Sequence, residues 1–116
     1  MRGGAAPKRK GTSFERLVRQ YYEARGYLVV RQGSSGRGRR RKDSPDDWRG
    51  LFDLLIIRRT ARPLLLECKA GGKMLGSDKI LLKRVADLFE VDAAVAYKRP
   101  KTEFENGFEL EWINRA

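Results

Sequence analysis

Glu67-Cys68-Lys69 closes the apolar run Leu64-Leu65-Leu66. In an extended strand alternate side chains share a face, so Glu67 and Lys69 point one way and Cys68 the other. A carboxylate and an ammonium emerging together from an apolar strand are costly without partners. A second acid, Asp53, interrupts another apolar run, Leu51-Phe52-Asp53-Leu54-Leu55-Ile56-Ile57. If the two runs form a hairpin centred on Thr60, Ile57 faces Pro63 and Asp53 faces Glu67, and directly opposed residues share a face. Asp53, Glu67 and Lys69 then make one patch, which a one-residue slip of register would scatter. Two opposed carboxylates repel unless a cation lies between them, and a divalent ion with carbonyl and water ligands removes the conflict. Such an ion can generate hydroxide or orient a water, and stabilise charge on a phosphodiester. Lys69 beside it would stabilise a pentavalent phosphate or help position the attacking water. The plainer alternatives are a surface strand lysine that simply pairs with Glu67, and an Asp53 that is a strand-edge acid or the hydrogen-bonded partner of a nearby arginine.

Composition narrows the chemistry. The chain has 116 residues with no histidine and one cysteine, so His-ligated zinc, a His general base, an internal disulfide and a multi-cysteine cluster are excluded. Carboxylate, lysine, serine and tyrosine remain, a hard-oxygen set suited to Mg²⁺ or Mn²⁺. The net charge is +11, and it is unevenly placed: residues 1–42 hold 13 Lys/Arg against 2 Asp/Glu, whereas residues 43–116 hold 13 of each. A basic segment of this kind points to nucleic acid, since each neutralised phosphate releases counterions; a solvated tail or an anionic-membrane patch is the alternative. No apolar run approaches the ~20 residues that span a bilayer, and Met1-Arg2-Gly3-Gly4 opens no signal peptide. The length suits one domain: a basic flexible arm over 1–10 and a single domain over 11–116.

The elements that must position these residues are readable in outline. Phe14, Leu17, Val18, Tyr21 and Tyr22 predict an amphipathic helix with Thr12 or Ser13 as N-cap and Gly26 as stop. Tyr27 to Arg31 predicts a strand. Gln32 to Gly50 is a long Gly/Ser/Arg stretch of the length seen in functional or disordered loops. Leu51–Ile57 and Pro63–Lys69 are the hairpin strands. A second helix, capped by Ser77 or Asp78, carries Leu81, Val85, Leu88 and Phe89 as its buried stripe. Ala93–Tyr97 and Phe108–Ile113 are further strands, the last setting Phe108, Leu110 and Trp112 against Glu109 and Glu111. The order α-β-β-β-α-β-β predicts an α/β domain with a central mixed sheet flanked by helices.

Other residues have two readings each. Glu15 sits in Thr12-Ser13-Phe14-Glu15, which is a capping box, yet it lies at the border of the apolar stripe, where a third carboxylate could reach the site rim. The loop Arg31-Gln32-Gly33-Ser34-Ser35-Gly36 could bring N–H groups and a hydroxyl to a phosphate, or merely be flexible. Arg39-Arg40-Arg41-Lys42 is a phosphate clamp or a solvated charge run. Trp48 could dock a partner or cover the edge of the core. Cys68 reads as a small buried hydrophobe.

Taken together the residues resemble the archaeal-type Holliday junction resolvases, known also from phages and viruses, within the PD-(D/E)-x-K nuclease fold group. The matching pieces are Lys10-Gly11, Phe14-Glu15-Arg16, Gly26-Tyr27, Val29-Val30-Arg31, Ser35-Gly36, Asp53-Leu54-Leu55 and Glu67-Cys68-Lys69, covering about Lys10 to Tyr97. The resemblance implies a restriction-endonuclease-like α/β fold and a metal site of Glu15, Asp53 and Glu67 with the Cys68 carbonyl. It implies Lys69 as catalytic lysine, Ser35 as the loop serine near the scissile phosphate, and Mg²⁺ as cofactor with Mn²⁺ able to substitute. DNA contacts are expected from Lys8, Arg9, Lys10, Arg16, Arg31, Ser34, Ser35, Arg37, Arg39, Arg40, Arg41 and Lys42. The implied partners are branched double-stranded DNA and a second copy of the chain, with no membrane, in the cytoplasm of a prokaryotic or phage-infected cell. Phe52 stands where the family motif has proline, and Pro45-Asp46 is a decoy for that motif. Asp46 or Asp47 is the alternative to Asp53, which is preferred because it leads an apolar strand. The competing functions are another endonuclease of the same fold group, of restriction or repair type, and a non-catalytic nucleic-acid-binding protein.

Overall fold

A computed structural model describes residues 5–32 and 51–116. The described residues form α1 (Ala5–Glu23), β1 (Leu28–Arg31), β2 (Leu54–Ile57), β3 (Leu64–Lys69), α2 (Gly76–Phe89), β4 (Asp92–Lys98) and β5 (Phe108–Asn114). That is the expected order. The strands make one sheet in the order β1-β2-β3-β4-β5. Neighbours are antiparallel except β3 and β4, which run parallel because α2 crosses over between them.

Strand alternation sorts the core into two layers. Leu54, Ile56, Leu64, Leu66, Ala94, Ala96 and Phe108 face α1, whose Phe14, Val18 and Tyr22 fill that side. Leu65, Ala93, Val95 and Tyr97 face the other way, onto Leu82, Val85 and Ala86 of α2. Both layers rest on near-continuous apolar runs, as strands covered on both faces require.

Two helix boundaries differ from the sequence expectation. α1 begins at Ala5, so Thr12 and Ser13 lie inside the helix rather than at its start, and Glu15 is no capping-box partner. Ala, Lys and Arg are good helix formers, and Pro7 falls in the first turn, where a missing N–H costs little. α2 starts at Gly76 with Leu75 at the N-cap and no side-chain cap bond, rather than with Ser77 or Asp78 as cap. Its buried stripe also differs: Leu82, Val85 and Ala86 point inward, Leu81 is half-buried, and Leu88 and Phe89 are exposed. Gly26 ends the first helical segment as expected, at φ +86°. Gly26→Ala should therefore lower stability by about 1 kcal/mol in denaturant titration, because a Cβ is strained there.

The hairpin register sets the site. Leu54 opposes Leu66, Leu55 opposes Leu65 and Ile56 opposes Leu64, which is the hairpin centred on Thr60. A charged clamp holds its turn. Arg58 Nη2 bonds Asp92 Oδ2 at 2.6 Å, and Arg62 Nη2 bonds Asp92 Oδ1 at 2.9 Å. Arg58 also donates to the Arg62 carbonyl, and Arg62 to that of Val91. The β2–β3 turn is thereby tied to the first residue of β4.

Candidate active site

Asp53 lies one residue before β2, at the end of the sheet where β3 finishes. Its backbone is fixed on both sides: its N–H donates to the Leu66 carbonyl at 2.9 Å, and its carbonyl accepts from Gln32 N–H at 2.9 Å. Its side chain folds across the hairpin, where Oδ2 accepts the Cys68 N–H at 2.8 Å. The strand pairing itself ends at Leu54–Leu66, and just beyond it these bonds set the Asp53 carboxylate beside that of Glu67. The Asp53 side-chain partner is a backbone amide of β3, not an arginine.

Glu67 is only 8% exposed, and its Oε1 is buried with no hydrogen-bond partner among the described residues. Lys69 Nζ lies 3.7 Å from Glu67 Oε2 and is one-third exposed. Burial, and then the neighbouring Asp53 carboxylate, push the Glu67 carboxyl well above the usual carboxylate range, with Lys69 pulling weakly the other way. In the metal-free chain Glu67 therefore holds its proton at neutral pH, because a second buried negative charge beside Asp53 is unfavourable. Cys68 faces the α1 layer and is half-buried, close to the small hydrophobe expected. Burial and then Asp53, Glu67 and Glu15 raise its thiol, so it is inert as a nucleophile.

Glu15 approaches the Cys68 side of the sheet from α1. Its side chain is 18% exposed and pairs with Arg31 Nε at 3.5 Å. Among the described residues no three His, Cys, Asp or Glu side chains stand close enough to hold one ion. The structure brings Asp53, Glu67 and Lys69 together and leaves Glu15 beside them on its own ion pair. Arg31 is exposed at the end of β1, and Arg16 is exposed on α1. Ser34, Ser35, Arg37, Arg39, Arg40, Arg41 and Lys42 lie outside the described residues, as do Asp46, Asp47, Trp48 and the side chains of Lys8, Arg9 and Lys10.

The residues present fit a hard divalent cation. The donors are carboxylate oxygens, one of them buried and unpartnered, and a divalent ion between them would displace the Glu67 proton and relieve the crowding of the two acids. Sequence reasoning missed a second polar group nearby. Tyr97 hydroxyl donates to Glu111 Oε1 at 2.9 Å, and Lys79 Nζ to Glu111 Oε2 at 3.1 Å. The Glu109/Glu111 alternation was visible in the sequence, but no local pattern linked it to Tyr97 and Lys79.

A mixed five-stranded sheet flanked by helices, with an acid ahead of the second strand facing an acid-x-lysine at the end of the third, defines a restriction-endonuclease-like α/β protein. The chain belongs to the archaeal Holliday junction resolvase (hjc) family, whose model matches residues 6–100. It is accordingly a nuclease of the Holliday junction resolvase kind, with branched DNA as its substrate class and metal dependence general to its family. No curated protein matches the chain. Among the described residues no helix is long and apolar enough to cross a membrane.

Proposed function

We propose that the chain is a structure-selective endonuclease that resolves four-way DNA junctions by paired, Mg²⁺-dependent phosphodiester hydrolysis, with Mn²⁺ able to substitute. The observation that carries this reading is the pairing of half-buried Asp53, just ahead of β2, with buried Glu67 of β3, flanked by Lys69. Asp53, Glu67 and the Cys68 carbonyl would hold the ion. When bound, it supplies an acidified water and positive charge against the phosphate. Lys69 places its ammonium where charge grows on the phosphoryl oxygens. Arg31 binds a backbone phosphate, and in doing so releases Glu15 from their ion pair to serve as the third carboxylate. The resemblance assigns Ser35 to the scissile phosphate, and Lys8, Arg9, Lys10, Arg16, Ser34, Arg37 and the Arg39–Lys42 run would supply the remaining contacts. A two-fold junction cut by paired nicks needs two active sites, so the working unit is a homodimer.

A four-way junction and a linear duplex of the same sequence, each with and without Mg²⁺, test the reading. The expected result is a pair of symmetric cuts in the junction, no cutting without the ion, and a duplex left intact. Equal cutting of both substrates would point to a restriction- or repair-type endonuclease. No cutting of either with Mg²⁺ would leave a non-catalytic binding protein.

A further inference from the structure

A cleft of about 340 Å³ opens beside the acid pair, lined by Lys73, Lys79, Tyr97, Arg99, Glu109 and Glu111 among others. Its position follows from strand register. Lys69 is the partner of Tyr97 on β4, and Tyr97 is the partner of Glu109 on β5. Glu67 is likewise the partner of Val95, and Val95 of Glu111. Directly paired residues share a face, so two rows run across the α2 side of the sheet, Glu67–Val95–Glu111 and Lys69–Tyr97–Glu109. Strands are about 4.8 Å apart, which puts the cleft roughly 5–10 Å from the Lys69 backbone. A strand cut between Asp53, Glu67 and Lys69 has to continue over a neighbouring surface, and this is one that the rows lead to.

The cleft's chemistry suits an anion. Lys73, Lys79 and Arg99 face Glu109 and Glu111, so the cations are in excess. The acids fix the positions of two of those cations: Lys79 Nζ bonds Glu111 Oε2 at 3.1 Å, and Arg99 Nε bonds Glu109 Oε1 at 3.0 Å. Tyr97 hydroxyl braces Glu111 from the floor at 2.9 Å. Lys73 is exposed at the rim. An ammonium has three donors, so Lys79 can bond a second oxygen while keeping Glu111. We infer that this cleft seats a phosphodiester flanking the one cut, with Lys73, Lys79 and Arg99 as its contacts and Glu111 as a brake on their affinity. The inference takes its ligand from the endonuclease reading above.

The two signs of charge give the test. The full-length chain is titrated with a fluorescent four-way junction in chelator, so that binding is read without cutting, and each variant's unfolding midpoint is recorded. Lys73→Gln should weaken binding about tenfold and lower the slope of log affinity against log salt by about one. Glu111→Gln should do the opposite and tighten binding severalfold. Lys83→Gln, which removes an exposed cation of α2 that bonds Asp87 and Asn114 and does not line the cleft, should change neither. Wild-type affinity in both cleft variants overturns the inference. So does weakened binding in Glu111→Gln, which is what a merely structural acid would give. Cutting of the junction with Mg²⁺ is followed in the same preparations. Wild type that fails to cut, with the opposite-sign pattern intact, removes the nuclease reading and upholds the cleft. Wild type that cuts, with no pattern, removes the cleft alone.

Discussion

Asp53→Asn should lower junction cleavage by about a thousandfold or more while leaving junction affinity close to wild type. The loss follows from removing one of two carboxylates around which charge is stabilised during the reaction; single groups of this kind are worth about 10²–10³ in rate even without a metal. Binding survives because most contacts to a DNA backbone come from cations elsewhere, and phosphate contacts carry the affinity. Asn keeps an oxygen that can accept the Cys68 N–H, so the hairpin end holds its shape. Glu67→Gln should be equally inactive, and it adds a second readout. Glu67 Oε1 is buried without a partner and Asp53 is its neighbour, so replacing the acid by its neutral isostere removes the cost of keeping Glu67 protonated in the metal-free chain. Its unfolding midpoint should rise as its activity disappears. Metal-supported cleavage by Asp53→Asn at the wild-type rate would end the assignment of this pair to catalysis.

The largest effect on stability is expected far from that pair, at Asp92. This carboxylate is buried and takes bonds from Arg58, Arg62 and the Ala116 amide. Removing one member of a buried ion pair strands the others, at a typical cost of 3–5 kcal/mol. Because the Arg62 side chain is one-third exposed, Asp92→Asn should cost about 3 kcal/mol, near the low end of that range. Burial alone would raise the Asp92 carboxyl, but the bonds from Arg58, the Ala116 amide and Arg62 outweigh it and hold the carboxyl below its ordinary 3.8. An acid depressed in the folded state stabilises it above the unfolded value and loses that contribution as pH falls through the folded one. Wild type should therefore weaken below about pH 4, and Asp92→Asn should show a flatter acid limb in denaturant titrations. A variant as stable as wild type at pH 7 would mean that the arginines are solvated adequately without their acid.

The contrast between these two sites shows what the sequence could reveal. Asp53 and Glu67 were legible because each interrupts an apolar strand, and strand period with a hairpin centre fixes who faces whom. Asp92 was not, since its arginine partners stand 34 and 30 residues away and no local pattern links them. α2 was misread for another reason. Leu81, Leu82, Val85, Ala86, Leu88 and Phe89 supply two adjoining apolar stripes, and only the sheet beneath selects the one through Leu82 and Ala86. Glu15 was placed at the rim by its angle on the helix. That angle carried no information about Arg31, which reaches it from the end of β1.

The clamp and the acid pair occupy opposite ends of one short hairpin. Glu67 lies three residues along β3 from the strand position that faces Asp92, roughly 10 Å away. Changes that far apart, sharing no partners, usually combine additively. Reinforcing the Arg58–Arg62 turn would consequently harden the molecule against heat without touching turnover. Variation at the acidic end, conversely, can retune chemistry in a frame whose endurance is decided elsewhere.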